Sequence, residues 1–309
     1  MQEFIRWFKD IRKKDIAKVG GKAANLGEIF TKFLIPDGFC ITVSAFKKFL
    51  GSAGIKKKIE LLLKNLDFTN IDNVTSVSKK IENIIIKSKI PKEFQNAILK
   101  NYKKINGFVA VRSSAVAEDL QEASFAGQQA TFLNVKENNL LNSIKECWAS
   151  FYSTRAILYR HKNNFNHEPK MAVAIQQMVD AKKSGVAFTV NPVNKNKNEM
   201  IIESIFGLGE AIVSGMVTPD NFLIDKRKQE VIKEIINEKS ISIIRQNGKN
   251  KTIKLNSKKA NEKTLNEKEL NQIIKESLKI EKYYKKPMDI EWAIDDKIYI
   301  LQARPITTL

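Results

Sequence analysis

Several features common in proteins are scarce or missing in this chain of 309 residues. No stretch approaches the roughly 18 consecutive apolar residues of a membrane-spanning helix. The start, Met1-Gln2-Glu3-Phe4-Ile5-Arg6, lacks the layout of a signal peptide. Two cysteines are present, Cys40 and Cys147, and neither sits in a CxxC pair. We therefore expect a cytoplasmic protein without a membrane partner, and two core thiols rather than a disulfide or a zinc site.

Acidic residues are also under-represented, with 34 Asp and Glu against 53 Lys and Arg and a formal net charge of +19. Such a chain suits a polyanionic partner, either a nucleic acid, an anionic membrane surface or a small molecule such as ATP. The excess is mostly lysine scattered along the chain. The sequence has no aromatic RNA-binding motif, no zinc-finger spacing and no basic helix followed by heptads. We therefore expect no nucleic-acid partner.

The stretch that organises the rest lies near the end, where two runs of alternating polar and apolar residues, 288–294 and 297–305, flank Asp295-Asp296. This pattern predicts a β-hairpin. If residue 294 pairs with residue 297, Asp289 lies opposite Gln302, and Glu291 lies opposite Ile300. The apolar face then carries Ile290, Trp292, Ile294, Tyr299 and Leu301.

The other face of this hairpin carries Asp289, Glu291, Gln302 and Arg304, since side chains two apart share a face. Oxygen ligands suit Mg²⁺, which keeps its waters and bridges to substrate phosphates, and arginine suits the phosphates themselves. An ordinary amphipathic hairpin with a solvated polar face is the alternative.

Two earlier segments have the chemistry of phosphate contacts. Gly20-Gly21-Lys22 precedes a run with helical spacing, so backbone N–H groups and a lysine would stand at a helix start, although a simple helix cap is the alternative. The strand 107–111 delivers Arg112-Ser113-Ser114 at its end, where a phosphate or a buried salt bridge would suit the arginine. Residues 118–129 form a polar loop, either a lid or a plain connection.

Six segments together carry a family resemblance. They are Val-Gly-Gly-Lys-Ala-Ala-Asn-Leu-Gly at 19–27, Val-Arg-Ser-Ser-Ala at 111–115, Ala-Ser-Phe-Ala-Gly-Gln-Gln at 123–129, Gly-Leu-Gly-Glu at 207–210, Met-Asp-Ile-Glu-Trp at 288–292 and Leu-Gln-Ala-Arg-Pro at 301–305. In type and order these segments resemble the ATP-binding domain of phosphoenolpyruvate synthase, with related domains in pyruvate, phosphate dikinase and rifampicin phosphotransferase.

The resemblance implies a mixed α/β (α+β) protein of ATP-grasp fold, in which ATP lies between a lobe at 1–177 and a lobe at 178–309. It implies catalytic roles for Lys22, Arg112 and Arg304 and Mg²⁺ ligation by Asp289, Glu291 and Gln302. The implied nucleotide contacts are Lys22, Arg112, Gly127, Gln128, Thr131, Gln176, Gln177, Met178, Val179 and Glu210, with 176–179 as the adenine hinge and 123–129 as the lid.

Family members pass the phosphoryl group from ATP to a histidine on a separate domain, and the synthase then passes it to pyruvate. The only histidines here, His161 and His167, lack the Thr-Cys-His setting of that carrier. We therefore expect a pyruvate, water dikinase-type enzyme component that performs the ATP half-reaction alone, giving AMP and phosphate overall, with a phosphohistidine domain in trans as its partner and pyruvate reached only indirectly. The alternatives are the ATP-binding part of a rifampicin phosphotransferase and an idle ATP-binding module.

Overall fold

The computed structural model describes residues 4–116 and 130–307. The chain forms two compact units, the first comprising Met1–Glu28 and Asp37–Met178 and the second comprising Ile29–Pro36 and Val179–Leu309. Both units mix helices with antiparallel sheets, so the expected mixed fold class is confirmed. In the described parts of the chain, no helix is long and apolar enough to cross a bilayer.

The first unit carries five strands and seven α-helices among its described residues. They are β1 (Ile5–Trp7), α1 (Ile16–Ile29), β2 (Gly38–Ile41), α2 (Val43–Ser52), α3 (Lys56–Lys64), α4 (Ile71–Lys87), α5 (Lys92–Ile105), β3 (Val109–Ala115), β4 (Thr131–Val135), α6 (Glu137–Ser150), α7 (Thr154–Lys162) and β5 (Met171–Gln177).

One antiparallel sheet, in the order β1-β2-β5-β3-β4, organises this unit. Helix α4 shows why the helices pack on it, because Asn70 accepts the Asn73 backbone N–H at its start and its apolar residues recur every three or four positions. These side chains join a large aromatic core in which Trp148 stacks on Phe46 and Phe49. The opposite face of the sheet carries small residues, including Ala172, Ala174 and Cys40, all fully buried.

The second unit contains β6 (Lys183–Phe188), β7 (Glu199–Phe206), α8 (Glu210–Val213), β8 (Asp220–Asp225), β9 (Glu230–Ile235), β10 (Ile241–Gln246), β11 (Lys249–Lys254), α9 (Ser257–Ala260), α10 (Glu267–Tyr284), β12 (Met288–Ile294) and β13 (Ile298–Pro305). Six of its strands form one antiparallel sheet in the order β13-β12-β6-β7-β8-β9, and β10 pairs with β11.

Helix α10 packs against β12 and β13 and covers one face of this sheet. Its start is fixed by a capping box between Asn266 and Glu269, and Glu269 also accepts both hydrogen bonds of Lys183. At the start of β8, Asp220 forms a fully buried ion pair with Lys239. Asp220 further accepts the backbone N–H and the hydroxyl of Thr264, so this buried carboxylate is well supplied with donors.

The unit boundaries differ in detail from the expected division at residue 177. Met178 groups with the first unit, where its N–H donates to the Phe108 carbonyl oxygen. Residues 29–36 group with the second unit, because the Leu34 carbonyl accepts the N–H of Ile300 and the Lys32 ammonium lies 4.1 Å from the centre of the Tyr283 ring.

Candidate functional site

The glycines before Lys22 break a helix rather than merely precede one. Helix α1 runs through the segment, but Gly20 has φ of 73° and ψ of 172°, far outside helical values. A Cβ at residue 20 would lie 2.0 Å from the carbonyl oxygen of Ser114, so only glycine fits there. The kink turns the chain where Lys22 begins the second half of α1, with only 8% of Lys22 exposed.

Strand β3 contacts this kink through Ser114. The Ser114 hydroxyl donates to the Val19 carbonyl oxygen at 2.8 Å and accepts the Ala23 N–H at 3.2 Å. Arg112 lies two positions earlier and shares the Ser114 face of the sheet. Thr131 is the cross-strand partner of Arg112. The structure therefore brings Gly20, Lys22, Arg112, Ser114 and Thr131 to one side of this sheet, and we call this set the cationic seat.

The expected adenine hinge begins on the same face. Gln176 pairs with Ala110 in β3 and is 2% exposed, so its side chain shares the Arg112 face. Gln177 alternates to the other side and is exposed. The backbone N–H groups of Gln177 and Met178 donate to carbonyl oxygens of the same unit, 2.7 and 2.9 Å away. Both N–H groups are therefore already hydrogen-bonded within the first unit.

Two expected nucleotide contacts, Gly127 and Gln128, lie outside the described residues, as does the rest of the predicted lid at 123–129. Two others lie in the second unit. Val179 is half-buried, and Glu210 is an exposed residue that begins α8 and accepts a hydrogen bond from the Asn250 amide.

The hairpin of β12 and β13 has a different register from the expected one. Ile294 pairs with Ile298, so the turn contains Asp295, Asp296 and Lys297 rather than the two aspartates alone. A β-bulge then lies at Leu301, because Trp292 pairs with Ile300 while Glu291 pairs with Gln302. As a result Glu291 lies opposite Gln302, and Asp289 lies opposite Arg304, which corrects the predicted pairs.

The same bulge corrects the predicted apolar face. Ile290, Trp292 and Ile294 are buried as expected, but Tyr299 and Leu301 are only half-buried, and Ile298 and Ile300 fill the core instead. A shift of one residue moves a strand's side chains to the other face, and a second shift moves them back. The turn and the bulge each contribute one shift, so Asp289, Glu291, Gln302 and Arg304 still share one face. We call these four residues the hairpin face.

Asp289 and Arg304 form an ion pair with two short contacts in the hairpin face. The Arg304 Nε and Nη2 atoms lie 2.8 and 2.7 Å from the same oxygen, Asp289 Oδ2. Burial raises the pKa of Asp289, the Arg304 charge opposes that rise, and the negative charge of Glu291 adds to it. Asp289 therefore fixes the plane of the guanidinium and carries a charge that its surroundings disfavour.

Glu291 and Gln302 are the oxygen donors that fit a magnesium ion. They are direct cross-strand partners, and Gln302 is 5% exposed. Mg²⁺ commonly takes one or two protein oxygens and keeps waters and phosphate oxygens for the remaining positions. Within residues 4–116 and 130–307, no group of three or more His, Cys, Asp or Glu side chains is arranged to hold a metal. The donor set thus suits a cation shared with a phosphate, not one enclosed by protein.

Glu203 is a residue that we did not predict for this site. The register places Gln302, Glu291, Val186 and Glu203 in one row across four strands, so Glu203 lies on the same side of the sheet as the hairpin face. Burial raises the pKa of Glu203, and the charge of Asp289 raises it further. A glutamate in the interior of β7, directly after Ile201 and Ile202, was the signal available in the sequence.

The two histidines have packing contacts. His161 stacks on Phe68 with ring centres 3.7 Å apart, and His167 accepts a hydrogen bond from Arg160 Nε at 3.2 Å. Burial, helped by the charges of Arg160 and His161, lowers the pKa of His167 to about 4. His167 is therefore a neutral acceptor at neutral pH.

Comparison with known proteins agrees with this donor chemistry. The chain matches the family described as "Pyruvate phosphate dikinase, AMP/ATP-binding domain" over residues 16–309. A probable phosphoenolpyruvate synthase of Archaeoglobus fulgidus is 44% identical over 99% of this chain and 42% of its own length. One from Methanocaldococcus jannaschii is 40% identical over 99% of this chain and 27% of its own length.

A rifampicin phosphotransferase of Bacillus cereus is 38% identical over 100% of this chain and 36% of its own length. The chain thus spans less than half of each of these relatives. Among solved structures, a D-alanine–D-alanine ligase from Helicobacter pylori matches 70% of this chain and 46% of its own, with 14% identity. Its TM-score of 0.30 is too low to establish a shared fold. By the match over residues 16–309 and these identities, the chain belongs to the family of pyruvate phosphate dikinase AMP/ATP-binding domains.

Proposed function

We propose that this chain binds ATP with Mg²⁺ and acts as the nucleotide component of a phosphoenolpyruvate synthase. ATP and water would be converted to AMP and phosphate, and one phosphoryl group would pass to a histidine on another domain or a partner chain. The phosphohistidine would then pass its phosphoryl group to pyruvate. The observation that carries the proposal is the hairpin face, where Glu291 lies opposite Gln302 and Asp289 holds Arg304.

In the hairpin face, Glu291 and Gln302 would hold Mg²⁺, with Asp289 nearby. Bound there, the ion would neutralise charge on the phosphate oxygens. Asp289 keeps the guanidinium of Arg304 in one plane through two contacts to a single oxygen. A guanidinium held in this way costs little reorganisation when negative charge spreads over a transferring phosphoryl group.

In the cationic seat, Lys22 and Arg112 would bind phosphate oxygens, and Thr131 would add a hydroxyl beside Arg112. We propose the ATP-grasp fold for the two units together. In that fold 123–129, with Gly127 and Gln128, would cover the phosphates. Segment 176–179 would contact adenine, and Glu210 would bind the nucleotide as well.

The contacts of His161 and His167 support an acceptor outside residues 1–309. One ring is stacked on Phe68, and the other accepts a hydrogen bond from a buried arginine. Phosphorylating His167 at Nδ1 would cost the Arg160 contact, and neither histidine adjoins the cationic seat in sequence. The acceptor is accordingly assigned to a partner.

A second candidate is the ATP-binding part of a rifampicin phosphotransferase, favoured by the 38% identity to the Bacillus cereus protein across the whole chain. The two functions differ in the final acceptor and share the ATP chemistry. A third, an ATP-binding module without transfer activity, is opposed by the paired Asp289 and Arg304.

The test mixes this chain with a separately expressed histidine domain, taken either from a synthase relative or from the rifampicin phosphotransferase relative. Calorimetry should show ATP binding that requires Mg²⁺. Transfer should yield phosphohistidine on the added domain and AMP as the nucleotide product. Faster transfer to the synthase domain would favour the synthase, and faster transfer to the other domain would favour the rifampicin phosphotransferase. ATP binding without phosphohistidine on either domain would favour the idle module. No ATP binding by the folded chain would refute all three.

A further inference from the structure

The kink in helix α1 is held by a side chain inserted into the helix's own hydrogen-bond ladder. In an unbroken helix the Ala23 N–H would donate directly to the Val19 carbonyl, four residues earlier. Here the Ser114 hydroxyl stands between them, donating to Val19 O at 2.8 Å and accepting Ala23 N–H at 3.2 Å. One hydroxyl thus satisfies both groups that the kink separates.

We propose that Ser114 is a positioning residue that acts through Lys22. This inference rests on the proposed function, in which Lys22 binds phosphate. The hydroxyl keeps α1 open at Gly20, so that Lys22 starts a new helical segment beside the strand that carries Arg112. Without the hydroxyl, the Ala23 N–H loses its acceptor, and the Val19 carbonyl keeps only the weak bond from the Cys40 thiol, so the kinked segment should open more readily.

Two further observations support this role. The Val19 carbonyl also accepts the Cys40 thiol at 3.5 Å, so β2 and β3 both hold the same backbone group. Gly20 lies so close to Ser114 that a Cβ there would meet its carbonyl at 2.0 Å and its hydroxyl oxygen at 2.5 Å. The kink therefore packs directly against strand β3, so we expect a substitution at Gly20 or Ser114 to displace the other segment.

The neighbouring serine provides a matched control. Ser113 is fully buried like Ser114, but it points to the opposite face of β3, and its hydroxyl has no hydrogen-bond partner among the described residues. Ser113→Ala and Ser114→Ala delete the same atom from adjacent positions of one strand. Ser114→Cys keeps the size of the side chain but bonds weakly, and so separates the hydrogen bonds from the packing.

The first measurement needs no nucleotide. Hydrogen–deuterium exchange should become faster in the peptide covering residues 16–29 for Ser114→Ala and Ser114→Cys, and stay at the wild-type rate for Ser113→Ala. Wild-type exchange in all three variants would overturn the proposal, whether or not the protein binds ATP.

The second measurement concerns affinity. Ser114→Ala and Ser114→Cys should raise the Kd for ATP with Mg²⁺ by roughly tenfold, because the lost contacts orient a phosphate ligand. Adenosine, which has no phosphates, should bind each variant as it binds the wild type. In a Lys22→Met background, Ser114→Ala should change the ATP Kd by less than about twofold, since residues that act together are not additive.

A full tenfold effect in the Lys22→Met background would show that Ser114 acts elsewhere. If the wild type binds no ATP while the exchange result holds, the proposed function fails and the role of Ser114 in holding the kink stands. If the wild type binds ATP and Ser114→Cys binds it equally well, the positioning role fails and the proposed function stands.

Discussion

The cationic seat and the hairpin face are held by different kinds of contact. In the seat, a glycine and a serine hydroxyl join parts of the chain 91 positions apart, from Ala23 to Ser114. In the hairpin face, four polar side chains come from two strands joined by a three-residue turn, and regular pairing holds their backbone. The seat therefore depends on a few atoms that have no substitute. Side chains of the hairpin face can change charge without disturbing the backbone that presents them.

The largest effect should come from Gly20→Ala. The new Cβ would sit 2.0 Å from the Ser114 carbonyl in a positive-φ conformation, at a cost of roughly 3 kcal/mol or more. Guanidinium unfolding should show this loss together with loss of ATP binding. Gly51→Ala, in helix α2, should be neutral or stabilising, because its added Cβ would have no atom from another part of the fold within 4 Å. Equal unfolding midpoints for the two variants would show that the cationic seat tolerates a side chain at residue 20.

Arg304→Ala tests the hairpin face at its ion pair with Asp289. Phosphoryl transfer to the added histidine domain should fall by about 100-fold or more, because the arginine would act on charge that develops in the transition state. ATP affinity should fall far less. Arg304→Lys keeps the charge but not the two-atom contact with one carboxylate oxygen, so it should recover only part of the rate. A wild-type rate in Arg304→Ala would remove Arg304 from the mechanism.

Glu291→Gln should leave folding intact and weaken the metal dependence. The amide keeps the shape of the carboxylate but loses its charge, so about tenfold more Mg²⁺ should be needed for half-maximal ATP binding. Titration of Mg²⁺ at fixed ATP measures this. Glu230→Gln, on the exposed edge strand β9 of the same sheet, is the control. An unchanged Mg²⁺ midpoint in Glu291→Gln would contradict the assigned ligand.

The smallest effect concerns Glu203 and depends on pH. Because its pKa is raised in the folded protein, keeping Glu203 ionised at neutral pH costs folding free energy. Glu203→Gln should therefore be more stable than the wild type at pH 7. This gain should shrink as pH falls through the raised pKa and be absent below the ordinary value of about 4.3. Denaturant unfolding from pH 8 to pH 4 measures it.

A gain for Glu203→Gln that persists unchanged at pH 4 would assign the effect to something other than charge. Glu230→Gln should show no comparable gain, since β9 is exposed along its whole length. The pair of variants thus separates a carboxylate near the hairpin face from one at the far edge of the same sheet.

The two regions also differ in how far the sequence predicts them. The polar members of the hairpin face follow from alternation within one short segment, and the structure confirms that Asp289, Glu291, Gln302 and Arg304 share a face. Their pairing was wrong because turn length and a bulge at Leu301 are decided by packing, which alternation does not record.

The cationic seat could be predicted only as two separate fragments. Gly-Gly-Lys indicated a helix start, and Arg-Ser-Ser indicated a strand end, but nothing local shows that Ser114 bonds to Val19 and Ala23. Glu203 was missed for the same reason, since its position in a row with Glu291 depends on the order of strands in the sheet. Contacts between distant parts of a chain come from topology, not from periodicity.

Segment 29–36, which belongs to the second unit, has a practical consequence for expressing the units separately. The second unit is not a continuous piece of chain, because Leu34 bonds to Ile300 and Lys32 covers Tyr283 from an earlier point in the sequence. A gene fragment that begins at residue 179 would leave out this segment and uncover the edge of β13. To express that unit alone, one would fuse segment 29–36 through a linker to one end of segment 179–309.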